Sequence, residues 1–179
     1  MIADCCEEPA AGPMVDARAL RRAWTALGPL AVGDWPVRHG LDVQHRAQTL
    51  TVLDEMLAGL YLAVDQDGRL RWLGKAHRAD GVGARLRHHL GHPERARVFA
   101  GVFVVAADPF SPRKAIEAAE GRAADLLKLR GAMGTRQWPR VTEKQWLALV
   151  TSRPASRLVG PRRPDLATAE RTDRNNPPG

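Results

Sequence analysis

Apolar residues recur along this chain in two rhythms, one of period two and one of period three to four. Leu60, Leu62 and Val64 alternate with Tyr61 and Ala63, which predicts a half-buried strand. Asp65-Gln66-Asp67-Gly68 is turn chemistry, since Asp tolerates tight backbone geometry and Gly takes positive φ at no cost. Leu70, Trp72 and Leu73 predict the return strand, ended by Gly74. Val98 to Ala106 is nearly continuous in apolar residues and predicts a central, buried third strand. Helical spacing governs the rest. Asp16 caps a predicted helix through Leu27, with Leu20, Trp24 and Leu27 on its inner face and Gly28-Pro29 as its stop. A second helix is predicted from Asp42 to Leu57, with Leu50, Leu53 and Leu57 inward and His45 and Arg46 in solvent. Val82, Leu86 and Leu90 predict a third, broken by Gly91-His92-Pro93. Ser111-Pro112 opens a fourth, a capping hydroxyl before a first-position proline. It runs to about Arg130 with Ala115, Ala119, Ala123, Leu126 and Leu127 as its stripe; Gly121 within it admits close backbone approach or marks a bend. Thr142-x-x-Gln145 is a capping box for a last short helix with Trp146, Leu147 and Val150.

These elements predict an α+β fold, a small three-stranded antiparallel sheet flanked by helices. Residues 1–13 read as disordered, 14–56 as a helical N-terminal extension, 57–140 as the sheet domain, 141–151 as a short helix and 152–179 as a disordered basic tail. A chain of 179 residues suffices for one domain with a core and extensions. Cys5 and Cys6 are adjacent and offer neither a disulfide framework nor a spaced ligand set, so a reducing cytoplasm is expected. No apolar run approaches the ~18 residues of a membrane span. Asp4, Glu7 and Glu8 are foreign to a signal peptide.

Charge changes the picture. The formal net charge is +7, and residues 56–140 hold fifteen basic against eight acidic side chains. That is either an Arg-rich solvated surface or a surface for phosphate, whose oxygens match guanidinium forks. Arg85 and His89, four apart, share one helical face. Glu120 has Ile116 one turn before it and Ala123 and Ala124 one turn after, so its carboxylate points to the sheet among small residues, where it needs a cation. The bland alternative is a solvated Glu paired with Lys114 or Arg113.

The stretch from Leu57 to about Arg130 resembles the GIY-YIG nuclease superfamily. The resemblance is carried by Gly59-Leu60-Tyr61, by Trp72-Leu73-Gly74 followed by Lys75-Ala76, by the 11-residue separation of Tyr61 and Trp72, by Arg85 with His89, and by Glu120. It implies a metal-dependent endonuclease that hydrolyses phosphodiester bonds in DNA. Glu120, or less favourably Glu117, would hold Mg²⁺ or Mn²⁺. Arg85 would stabilise the developing phosphate charge, His89 would bond the phosphate or help activate water, and Lys75 would add positive charge. Tyr61, the chain's only tyrosine, would supply the hydroxyl alone, since the second aromatic position is Trp72 and an indole has none. Trp72, Gly74, His77 and Arg78 would lie against nucleic acid. The resemblance also implies that Tyr61, Arg85, His89 and Glu120 converge on one face. The alternative is a catalytically impaired nucleic-acid-binding module on the same fold, favoured by Trp72 and by the lack of a counterpart to the family's late asparagine. A structural or protein-interaction domain with merely solvated arginines is the third reading.

Overall fold

The computed structural model describes residues 10–78, 81–134 and 136–152. In chain order the elements are α1 (Ala17–Leu27), β1 (His39–Gly40), α2 (Arg46–Asp54), β2 (Ala58–Val64), β3 (Leu70–His77), α3 (Val82–Leu90), α4 (Pro93–Val98), β4 (Gly101–Ala106), α5 (Arg113–Leu126) and α6 (Glu143–Thr151). The strands form one antiparallel sheet in the order β1-β4-β2-β3. It has four strands where three were expected. The addition, β1, is two residues long and pairs His39 with Val102 and Gly40 with Gly101. So short a strand carries no alternation to read.

Both faces of the sheet are covered, so every residue of β2 is buried rather than every second one. On one face Leu60, Leu62, Leu73 and Val105 meet α1 and α5 through Ala23, Leu27, Ile116, Ala119 and Ala123. On the other, Tyr61, Ala63, Ala76 and Val104 meet α2 and α3 through Leu53, Val82 and Leu86, with Phe99 beside them. Residues 14–56 therefore do not stand apart from the sheet, since α1 and α2 close opposite sides of it.

Local signals set several boundaries as expected. Asp16 accepts from the Ala19 amide at 2.8 Å and starts α1. The turn at 65–68 closes with Gly68 N–H donating to the Asp65 carbonyl. Helix α3 spans Val82–Leu90, and α6 begins in the Thr142–Gln145 capping box.

Other boundaries moved. Strand β3 runs past Gly74 to His77 because Gly74 pairs with Tyr61 inside the ladder. Strand β4 starts at Gly101, since Val98 belongs to α4, a short helix with proline in its first turn that the apolar run concealed. Helix α2 is shorter than predicted, Leu57 lies exposed beyond it, and Arg46 donates to the carbonyls of Leu41 and Ala96 instead of standing in solvent. Helix α5 starts without the Ser111 hydroxyl, which is buried with no partner among the described residues, and ends at Leu126, which is exposed. Leu147 of α6 is exposed as well, while Trp146 enters the core. Gly121 is a close-approach glycine: a Cβ there would strike the Pro139 carbonyl. Gly12 and Pro13, expected to be disordered, exchange backbone bonds with Leu70 at 2.7 and 2.8 Å and flank the start of β3. Ser152, expected in the disordered tail, instead caps α6 with its N–H donating to the Ala148 carbonyl at 3.1 Å, while the disorder expectations over 1–9 and 153–179 lie outside the described residues. No helix among the described residues is long and apolar enough to cross a membrane.

Candidate functional site at the edge of the sheet

Tyr61 stands opposite Gly74 in the β2–β3 ladder. A Cβ on Gly74 would run into the phenol ring and hydroxyl, so glycine is what lets the Tyr61 side chain lie across β3 toward the open edge of the sheet. The buried Val82 and Leu86 seat α3 on the same face and deliver His89, whose Nε2 is 2.9 Å from the Tyr61 hydroxyl. Arg95, from α4, donates from Nη1 to His89 Nδ1 at 2.9 Å and places its guanidinium 4.5 Å from the centre of the Trp72 ring. The Trp72 and His89 rings are 4.6 Å apart, with Phe99 behind His89 at 6.3 Å.

Electrostatics fix the protonation of this pair. Burial, then the charges of Arg95, His88, Arg85 and Arg136, lower His89 from its ordinary 6.5 to about 3, so the ring is neutral at neutral pH. Burial raises the Tyr61 phenol above its ordinary 10, against the opposing pull of Arg85 and Arg136, so it keeps its proton. The Arg85 guanidinium makes no hydrogen bond among the described residues, yet it lies near enough to act on both groups.

Lys75 alternates with Gly74 and so belongs to the α5 face. Its Nζ is 3.4 Å from Glu120 Oε2 and 3.7 Å from Glu117 Oε1. Glu120 is buried, and its Oε1 accepts from Arg136 Nη2 at 3.0 Å. Arg136 then passes round β3: its guanidinium carbon is 3.9 Å from the Trp72 ring centre and 5.0 Å from that of Trp138. The expectation of a single face is thus corrected. Strand alternation puts Tyr61, Trp72 and His89 on one side and Lys75 and Glu120 on the other, and Arg136 joins them across the edge.

His77 and Arg78 do not join this group. His77 Nε2 donates to the Ser111 carbonyl at 2.8 Å, and Arg78 Nε donates to the Pro109 carbonyl at 3.0 Å, with its guanidinium 5.9 Å from the Phe110 ring. They tie the far end of β3 to the loop before α5. The sequence reading missed Arg95 and Arg136. The only local trace of the latter is its interleaving with Trp138, a basic residue two positions before an aromatic one.

A divalent cation was expected on Glu120. Each of its oxygens already faces a protein cation, and no group of three or more His, Cys, Asp or Glu assembles among the described residues. In this arrangement the donor set does not fit a resident metal ion. Comparison of the chain with protein-family models, with curated proteins and with solved structures finds no match.

Proposed function

We propose that the β3 edge binds a phosphodiester of DNA and that Tyr61 takes part in its hydrolysis, the GIY-YIG-type activity that the sequence resemblance implies. The observation that carries this reading is the buried Tyr61–His89 pair, bonded at 2.9 Å and acted on by Arg85, Arg95 and Arg136, of which, among the described residues, only Arg136 is answered by a carboxylate, Glu120. Guanidinium groups match phosphate oxygens bidentately. Among the described residues Arg85 has free donors, and Arg136 has a buried Nη1 without a partner, a hydrogen-bond donor still owed an acceptor. A phosphate that engages Arg136 draws it off Trp72 and opens the way to the phenol beneath. Charge stabilisation then comes from the arginines and Lys75.

The test is nicking of supercoiled plasmid by the full chain with Mg²⁺ or Mn²⁺ and with chelator, beside Tyr61→Phe. Tyr61→Phe is expected to lose about 10²–10⁴ in rate, the usual worth of a proton-transfer group. Equal nicking by both proteins sinks the role of Tyr61, and the chelator arm reports whether a cation is required.

A binding-only module is the second reading, favoured by the neutralisation of both Glu120 oxygens and by the indole at position 72. It predicts DNA binding whose logarithm falls linearly with the logarithm of salt concentration, without cleavage under any metal condition.

A further inference from the structure

We propose that Arg95 is a positioning residue that locks His89 in its Nε2–H tautomer and thereby commits Tyr61 to giving a proton to the phosphodiester rather than taking one from water. The second half rests on the reading above; the first rests on hydrogen-bond geometry alone.

A guanidinium has donors and no acceptor. Its Nη1 is 2.9 Å from His89 Nδ1, so Nδ1 presents its lone pair. A doubly protonated ring would set two N–H groups head to head there. The single ring hydrogen is therefore on Nε2, 2.9 Å from the Tyr61 oxygen, and it donates into that oxygen. The Tyr61 oxygen thus accepts from His89, and an Nε2 that already carries its hydrogen cannot take the phenol's proton. What the phenol has left to offer is its own hydrogen.

In the hydrolytic step a water oxygen attacks phosphorus and the bond to the leaving oxygen breaks. The leaving oxygen keeps the bonding pair and takes the Tyr61 proton. The surplus proton of the attacking water passes to solvent, and the phenolate later regains its proton from solvent. Until then the phenolate is held by the N–H group of His89 and by the positive charge of Arg85 and Arg136. The charged and titratable groups that act on Tyr61 are His89 and Arg85 from α3 and Arg136, with Glu120 of α5 acting from beyond the sheet edge.

The lock is read by ring-nitrogen NMR of the labelled full chain, which separates the two tautomers without reference to activity. Wild-type His89 is expected wholly as Nε2–H. Arg95→Met, which keeps the stem and removes the donors, is expected to show both tautomers in comparable amounts, and Arg95→Lys to restore the first. A wild-type ring protonated on Nδ1 overturns the lock, and this needs no variant to fold; so does an unchanged tautomer in a folded Arg95→Met. The donating role is read from the pH dependence of wild-type nicking. The rate should fall as pH rises through the Tyr61 titration, which absorbance follows cleanly because the chain has one tyrosine. A rate that climbs toward that pKa makes Tyr61 a base and overturns the donating role. Absence of nicking under every condition removes the donating role together with the nuclease reading, while the tautomer result stands or falls separately.

Discussion

Gly74 decides where Tyr61 lies. The space a Cβ would take is filled by the phenol, so Gly74→Ala must shift the ring or the strand. Overpacking of this kind costs about 1–3 kcal/mol. The expected outcome is a lower urea midpoint at unchanged slope, together with a phenol that titrates closer to its ordinary value because its burial is relaxed. An unaltered midpoint and titration would show that the close approach is not needed. Glu120 is the second decisive residue. It is the carboxylate between Lys75 and Arg136, and Glu120→Ala leaves two half-buried cations facing each other. Loss of about 1–3 kcal/mol is expected from the unpaired groups. A double-mutant cycle with Arg136→Met should show coupling, while additivity within error would mean that the contact contributes nothing. The same instability makes Tyr61→Phe the cleaner probe of chemistry.

Among the elements, the stretch from α5 to α6 governs the outer half of the site, because it carries Arg136. Arg130 donates to the carbonyls of Trp138 and Pro139 at 2.8 Å and also pairs with Asp125, pinning the connecting segment to the end of α5. Gly121 lets the Pro139 carbonyl come down on the helix. Helix α6 is then fixed by Arg122, which bonds Glu143 at 2.7 Å and lies 4.6 Å from the Trp146 ring centre. Its start depends on the Thr142–Gln145 box. Thr142→Ala is expected to cost about 1 kcal/mol. Hydrogen exchange should localise the effect to the first turn of α6, and a uniform loss of protection across the sheet would contradict this assignment.

At the scale of the whole molecule, stability should respond to acid in two stages. His89 is held near 3 in the folded state against 6.5 when free, chiefly by burial. Below pH 6.5 the unfolded chain binds a proton that the folded chain refuses, so stability declines as pH falls from about 6.5 toward 3. Carboxylates add to this only lower down. Asp125 is kept below its ordinary 3.8 by its bond from Arg130, so its contribution is intact above that value and is lost as pH falls beneath it. Urea midpoints measured from pH 7 to about 4 should therefore fall in wild type and flatten in His89→Gln, provided the variant retains the fold; parallel slopes in the two proteins would refute the role of His89.

What covalent neighbours settle was legible in the chain. Alternation found β2, a turn of Asp and Gly placed the hairpin, the stripe of Val82, Leu86 and Leu90 bounded α3, and Asp16 and the Thr142–Gln145 box started their helices, because each depends on residues within one or two turns. The pairing of Tyr61 with His89 across 28 positions was reached only through a family resemblance, not from periodicity. Arg95 and Arg136 had no comparable cue. Arg95 matters because α4 folds back beside Trp72, and Arg136 because a connecting segment crosses the sheet edge to meet both Glu120 and Trp72. The odd separation of Trp72 and Lys75 on one strand puts them on opposite faces, but which helix covers each face, and so which residues meet there, was left to register and packing. The sequence by itself determined most of the elements and most of the side chains with chemistry to offer, though not β1 or α4. The tertiary structure decided which of them touch, since contact across a strand edge is set by packing and register rather than by spacing along the chain.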